Sequence, residues 1–180
     1  MKDIIRCHAL RLFDTKGYHG TSMRDIGDAA GCKAPTVYHY FGNKENLFDE
    51  VVRIAYIDLI GAQRKQLPEN LTPRDYCAET IIQKKSLSEN DLLIHRIALK
   101  TWLGCEDCEN VKNKLIEWET ARSARNEALL SGVVSSVAWV KIITRAFINL
   151  TERIILFGED IPEDEIREEM RLLFEAATKK

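Results

Sequence analysis

The chain has 180 residues, of which 45% are hydrophobic and 30% are charged. This composition is typical of a folded protein with a sizeable core and excludes a disordered tail protein. Because the formal net charge is −2, the chain is not a basic polyelectrolyte, and any contact with nucleic acid must come from a local surface.

The sequence predicts an all-α fold of about nine helices, because helix-favouring residues dominate and alternating strand patterns are hard to find. The first helix is predicted over 3–16. A capping box of Ser22 and Asp25 predicts the start of a short second helix. A third short helix carries Pro35 in its first turn, where a missing amide proton costs little, and ends near Gly42.

Six further helices are predicted over about 44–66, 73–86, 89–103, 107–130, 133–157 and from 163 towards the C-terminus. Thr72 and Ser88 are the predicted N-caps of two of them. The stretch 133–157 is the most apolar, but four charged residues interrupt it, so it is interpreted as a buried helix and not as a membrane span. No membrane partner is expected.

The five cysteines and the lack of an N-terminal apolar run favour a reducing cytoplasm with free thiols. Cys105 and Cys108 form a single C-x-x-C pair. A metal site would need a second pair or a histidine partner, and flanking acidic residues disfavour a reactive thiolate. A metal or redox sensor therefore remains an alternative, and no cofactor or metal is expected.

The first three helices have the pattern of a helix-turn-helix, in which a short helix enters the major groove of DNA. Such a helix needs an apolar inner face, which Val37 and Phe41 supply. It also needs a polar outer face, which is supplied by Lys33, Thr36, His39 and Tyr40.

The linked residues of this region resemble the TetR family of bacterial repressors. The pattern comprises Ile5…Ala9…Leu12-Phe13…Gly17-Tyr18…Thr21-Ser22-Met23-Arg24-Asp25-Ile26…Ala30-Gly31 and then Thr36-Val37-Tyr38-His39-Tyr40-Phe41…Lys44-Glu45…Leu47. The resemblance covers about the first fifty residues. It implies a DNA-binding domain over 1–46 and a helical ligand-binding and dimerisation domain over 47–180.

The resemblance also implies roles for individual residues. The residues at positions where members of the family contact DNA phosphates are Ser22 or Thr21, Tyr38, Tyr40 and Lys44. The positions where it meets base edges or neighbouring phosphates are Arg24, Lys33, Ala34, Pro35, Thr36 and His39. Two residues depart from the family pattern: Lys33 replaces the usual Ser or Thr cap, and Gly27 replaces an alanine, which we expect to loosen the second helix.

For the rest of the chain, the resemblance implies a homodimer through the last two helices and a cavity for a small-molecule effector. The apolar circumference of the eighth helix favours the dimer, with a purely internal core helix as the alternative. The candidate effector-binding residues, each of which could equally be plain packing or surface, are Ile57, Tyr76, His95, Leu99, Trp102, Trp118, Arg122, Trp139, Ile143 and Phe147.

These observations predict a ligand-responsive regulator, most simply a repressor, that binds a palindromic operator in double-stranded DNA as a dimer and is released by a largely apolar effector. The alternative is a DNA-binding protein that acts through a protein partner without such an effector. The sequence contains no phosphate loop, nucleophile elbow or zinc-protease motif, so an enzyme is not expected.

Overall fold

The computed structural model describes residues 1–105 and 108–178, and these residues form helices and connecting turns without a strand. Three short helices come first: α1 (Lys2–Lys16), α2 (Met23–Ala29) and α3 (Ala34–Phe41). The predicted all-α fold is confirmed. Among the described helices, none is both long and apolar enough to span a membrane.

The predicted fourth helix is one uninterrupted helical run with an unexpected middle. It begins as α4 (Lys44–Phe48), widens into a π-helical segment (Asp49–Ile54) and continues as α5 (Ala55–Gln66). Asn43 caps its start by accepting the amide of Asn46 at 2.7 Å. A π-helix needs hydrogen bonds of i→i+5 spacing, which residue propensities do not encode.

The remaining helices are α6 (Pro73–Ile82) with a following 3₁₀ turn (Gln83–Ser86), α7 (Glu89–Trp102), α8 (Glu109–Ser131), α9 (Val137–Phe157) and α10 (Glu163–Thr178). If the run 44–66 is counted once, the described part of the chain has nine α-helices, as predicted. The predicted caps are confirmed, because Thr72 and Ser88 each accept an amide three residues on.

Two predicted boundaries need comment. The apolar helix starts at Val137 and not at position 133, because the Ser136 hydroxyl caps it and the amide of Ser135 is bonded to the carbonyl of Ala177 at 3.0 Å. The predicted start of the seventh helix, at 107, falls outside the described residues.

The chain divides into two compact units. Unit 1 contains Met1–Ile60 and Ser88–Trp118, and unit 2 contains Gly61–Leu87 and Glu119–Lys180. These compact units differ from the predicted domains 1–46 and 47–180, since α7 and the start of α8 group with the N-terminal helices. A functional boundary near 46 stays a prediction.

Unit 1 has a continuous apolar core centred on α1. Ile5 and Phe13 on α1 are fully buried, and the ring of Phe13 meets that of Phe48 edge-on with centroids 4.9 Å apart. Ile26 and Val37 bring α2 and α3 into the same core. This packing holds the short helices, which would be marginal in isolation.

Unit 2 is held together by α6, α9 and α10, which pack against one another. Helix α10 has a buried apolar stripe of Ile166, Met170, Phe174 and Ala177, with Leu173 half-buried beside it. Phe174 and Ala177 join Ile143 in a second apolar cluster. Several large apolar side chains of α9, among them Val137 and Phe157, remain exposed.

Candidate nucleic-acid interface

Helix α3 has the two contrasting faces that a recognition helix requires. Val37 is fully buried and Phe41 is 5% exposed, so one face anchors the helix to the core. On the other side, Tyr38 and Tyr40 are 50% and 41% exposed. The side chains of the predicted contact set Lys33, Pro35, Tyr38, His39 and Tyr40 are all exposed, while Ala34 and Thr36 are half-buried.

The start of α3 is regular even though its cap residue is unusual. Lys33 occupies the N-cap position in an extended conformation and its side chain makes no cap hydrogen bond. Pro35 lies in the first turn, where no amide donor is needed. Lys33 therefore leaves its ammonium exposed at the helix end instead of using a hydroxyl to close it.

Gly27 has a steric role that the sequence interpretation missed. A Cβ atom at this position would lie 3.0 Å from the carbonyl oxygen of Cys32 and 3.2 Å from the amide of Ala34. The glycine therefore lets α2 approach the start of α3 closely. The expectation that it loosens the second helix stays a prediction. An alanine here would require the backbone at Cys32 or Ala34 to give by a few tenths of an ångström.

The capping box before α2 is confirmed. The Ser22 hydroxyl accepts the amide of Asp25 at 3.1 Å, and the Asp25 carboxylate accepts the Ser22 amide at 2.9 Å. The Ser22 hydroxyl and amide hold the pKa of Asp25 below its usual range. The neighbouring Arg24 is exposed and lies 3.8 Å from Asp28, a weak surface pairing that DNA can compete with.

The structure separates the alternatives Ser22 and Thr21. Thr21 is 1% exposed, and its hydroxyl donates to the carbonyls of Gly17 and Leu12 at 2.9 and 3.2 Å. Its hydroxyl is therefore used inside the domain, and a phosphate contact by Thr21 stays a prediction. Ser22 is exposed, so it is the better candidate of the pair.

Lys44 points inwards, towards the connector between α1 and α2. Its ammonium donates to the carbonyls of Tyr18 and Thr21 at 2.9 and 3.1 Å and lies 4.2 Å from the centroid of the Tyr18 ring. In this position the lysine fixes the segment that leads into α2. A direct phosphate contact by Lys44 stays a prediction, and the geometry supports a positioning role.

Tyr18 links this connector to Cys108. Burial, followed by the contact with Cys108, raises the pKa of Tyr18 to about 12. Burial also raises the pKa of the Cys108 thiol, although a hydrogen bond with Tyr18 opposes the shift. A thiol of raised pKa is a poor nucleophile, which disfavours the redox alternative.

Cys105, the other cysteine of the C-x-x-C pair, is exposed. Within residues 1–105 and 108–178, no three His, Cys, Asp or Glu side chains are grouped to hold a metal.

The candidate effector-binding residues are divided between the two units. In unit 1, His95 is 2% exposed and its ring meets that of Tyr56, which in turn meets Trp118. Trp102 and Trp118 pack on the apolar core. The other members of unit 1 are Ile57 and Leu99, both half-buried.

In unit 2, Ile143 is fully buried in an apolar cluster and Trp139 packs against it. Arg122 is half-buried and donates to Glu119 at 2.7 Å. Tyr76 and Phe147 are half-buried. The sequence interpretation missed the most unusual polar side chain of this unit, Lys84, which is 4% exposed. Its sequence context, QKKS, resembles a solvated turn and gives no signal of burial.

Together, the buried inner face and exposed outer face of α3, its tight junction with α2 and its support by α1 define a helix-turn-helix domain. Residues 5–51 match the family model described as bacterial regulatory proteins, tetR family. The predicted resemblance is confirmed: residues 5–51 are similar to the DNA-binding segment of TetR-family regulators.

Curated relatives are similar over the same region. The chain is 39% identical over 66 residues to the HTH-type transcriptional repressor KstR2 of Rhodococcus jostii, covering 37% of this chain and 32% of that protein. It is 46% identical over 57 residues to the HTH-type transcriptional repressor ComR of Escherichia coli, covering 32% and 27%. The match thus spans a third or less of these relatives.

The similarity of fold extends over nearly the whole chain. The TetR-family regulator PfmR of Thermus thermophilus aligns with a TM-score of 0.71 at 24% identity, covering 95% of this chain and 97% of that one. The ketosteroid regulator KstR2 of Mycobacterium tuberculosis aligns with a TM-score of 0.69 at 17% identity, covering 99% and 95%. At such identities these likenesses establish the fold alone.

Proposed function

We propose that this protein is a dimeric transcriptional regulator, most simply a repressor, that binds a palindromic operator and is released by a small-molecule effector. The observation that carries the proposal is the outer face of α3. Lys33, Tyr38, His39 and Tyr40 are exposed together on a helix whose other face is anchored by Val37 and Phe41. The curated relatives, which are named as transcriptional repressors and not as enzymes, support it.

Each exposed group has a chemistry suited to DNA. The phenols of Tyr38 and Tyr40 can donate to phosphate oxygens, which positions the helix without selecting a sequence. Arg24 can form two hydrogen bonds with a guanine edge, and the Thr36 methyl group can contact the methyl group of thymine. His39 and the ammonium of Lys33 lie on the same helix. Binding to DNA also implies action in the cytoplasm.

The exposed apolar surface of unit 2 supports a dimer through the last two helices. On α9, Val137 is 68% exposed and Ile142 and Ile148 are 42% and 36% exposed, while Leu172 on α10 is 53% exposed. Large exposed apolar side chains on two adjacent helices are typical of a surface that a partner covers. In the dimer, two recognition helices about 34–36 Å apart would enter successive major grooves.

To test the proposal, the protein is first used to select 30-base-pair duplexes from a pool of random sequences. Its affinity for the selected duplexes is then measured by fluorescence anisotropy. We expect a selected palindrome, with affinity that falls steeply as salt rises, because each neutralised phosphate releases counterions. Lys33→Ala should weaken binding at least threefold. Lys114→Ala, which removes an exposed lysine from α8, is the matched control and should bind as the native protein does. If both variants bound the duplex as tightly as the native protein does, α3 would not be part of the DNA interface.

A further inference from the structure

Lys84 in unit 2 is a buried cation with little compensation. It lies in the 3₁₀ turn after α6, is 4% exposed, and its ammonium makes one hydrogen bond, to Oε1 of Gln63 at 2.5 Å. Lysine is almost never buried to this extent without a charged partner. Its hydrogen-bond partner is a neutral amide and not a carboxylate.

The nearby charges leave this ammonium short of an anion. Glu119 is already engaged by Arg122, whose guanidinium lies 2.7 Å from the carboxylate. The pKa of Lys84 is lowered to about 7, mainly by burial and then by the charge of Arg122, while Glu119 opposes the shift with a smaller effect. The field at Nζ is therefore favourable to an added negative charge.

Two more buried polar atoms near Lys84 have unused hydrogen-bonding capacity. The Thr80 hydroxyl oxygen and Oε1 of Gln83 are buried without a partner, while Nε2 of Gln83 donates to the carbonyl of Gln63 at 3.1 Å. Thr80, Gln83 and Lys84 are spaced three and four residues apart, which places them on one side of the helical run. Buried polar atoms normally find partners in protein, water or ligand.

The donor set fits a carboxylate. The ammonium has two N–H groups beyond its bond to Gln63, and the Thr80 hydroxyl can supply another donor. Two or three donors around one cation match the two oxygens of a single carboxylate. Oε1 of Gln83 can accept a hydrogen bond from a hydroxyl or amino group of the same ligand.

We propose that the cluster of Gln63, Thr80, Gln83 and Lys84 binds the carboxylate of an organic acid, which is the effector of the regulator. This inference rests on the proposed function and names the chemical class of its ligand. The acid carries an apolar remainder, because α9 packs against the 3₁₀ turn that holds Lys84 and buries Val140, Ile143 and Leu150. A neutral apolar effector, by contrast, leaves the buried lysine unpaired.

The test is isothermal titration calorimetry of the full-length protein with butyrate, hexanoate, octanoate and benzoate, each paired with the corresponding alcohol. We expect carboxylates to bind at least tenfold more tightly than their alcohols. At pH 8 the free Lys84 is mostly neutral, so binding should take up nearly one proton, detected as an enthalpy that differs between phosphate and Tris buffers. Affinity should fall about tenfold from pH 8 to pH 9.

Lys84→Met should lose carboxylate binding at least tenfold and lose the proton uptake. Lys65→Met, which removes an exposed lysine near Gln63, is the matched control and should retain both. Because Lys84→Met could disturb folding, the native protein provides an independent measurement: the ¹³Cε signal of Lys84 should titrate near pH 7 and shift its midpoint upwards when octanoate is added. Failure of all four acids to bind, or binding without proton uptake, overturns the proposal.

A second experiment, a titration with DNA, distinguishes failure of this inference from failure of the proposed function. The same protein samples are titrated with the selected duplex, with and without octanoate. Duplex binding that is weakened by octanoate supports both proposals. Duplex binding with no proton-linked binding of acid overturns the carboxylate site and leaves the regulator. Acid binding without any selective duplex binding overturns the regulator and leaves an acid-binding protein.

Discussion

The free energy of unfolding should rise with pH between 7 and 9, and Lys84 should cause the rise. In the unfolded chain this lysine keeps its proton up to about pH 10.5, whereas in the folded chain its pKa is lowered to about 7 by burial. Between these values the unfolded state binds more protons, so raising the pH favours folding, by up to about 1.4 kcal/mol per pH unit.

A second buried group limits the pH range of this gain. Burial raises the pKa of Cys77 from 9.0 to about 11, so above pH 9 the unfolded chain releases a proton that the folded chain retains. That difference has the opposite sign and offsets the gain from Lys84. Integrating both titrations gives a rise of about 2 kcal/mol from pH 7 to pH 9, followed by a plateau.

The assay is urea unfolding at pH 7, 8 and 9, followed by circular dichroism and tryptophan fluorescence. We expect the native protein and the control Lys65→Met to gain stability over this range. Lys84→Met should lack the gain, whatever its absolute stability, because the comparison uses the slope alone. Parallel pH profiles for Lys84→Met and the native protein would refute the assignment of the low pKa to Lys84.

Three further predictions concern the other surfaces. Tyr38→Phe should weaken binding to all duplexes alike by about fivefold, as expected for a lost phosphate hydrogen bond of about 1 kcal/mol, and an effect confined to one sequence in anisotropy would contradict this role. Asp14→Asn should destabilise unit 1 by about 1–2 kcal/mol in urea unfolding, because it leaves Arg96 and Lys100 without their shared carboxylate. An unchanged unfolding midpoint would show that these ion pairs do not stabilise the unit. Leu172→Arg should shift the mass measured by light scattering from dimer to monomer with unchanged helicity, and a persistent dimer would exclude the α10 face.

Much of the fold could be predicted because its signals are local. A hydroxyl at Ser22, Thr72 or Ser88 bonds an amide three residues away, so the sequence around it is sufficient to predict the cap. The faces of α3 follow from helical spacing in the same way. The start of the apolar helix was missed because Val133 and Val134 suit either a helix or the turn that precedes Ser136.

The missed features depend on residues that are distant in sequence. The ammonium of Lys44 bonds carbonyls 23 and 26 residues earlier, and that of Lys84 bonds a side chain 21 residues earlier. Neither a propensity nor a spacing reports such a contact. Lysine side chains normally lie in solvent, so the inward-pointing Lys44 and the buried Lys84 both differ from the ordinary expectation for their type.

The contacts within unit 1 indicate how a displacement of α7 could reach the recognition helix α3. Asp14 on α1 is bonded to Arg96 on α7 at 2.7 and 2.9 Å. Burial raises the pKa of Asp14, but the ion pairs with Arg96 and Lys100 outweigh it and hold the pKa below its usual value. The carboxylate therefore stays charged, and α1 is fastened to α7 at ordinary pH.

Since α1 also packs against α2, a displacement of α7 must either carry the helix-turn-helix with it or break the ion pair. Breaking it would leave Arg96 and Lys100 without their shared carboxylate, which opposes the separation of α1 from α7. An effector can drive this movement only by the difference between its affinities for the two arrangements, and DNA binding opposes it by the same coupling free energy. On this argument, Asp14→Asn should reduce the effect of the effector on operator affinity more than it reduces operator affinity itself.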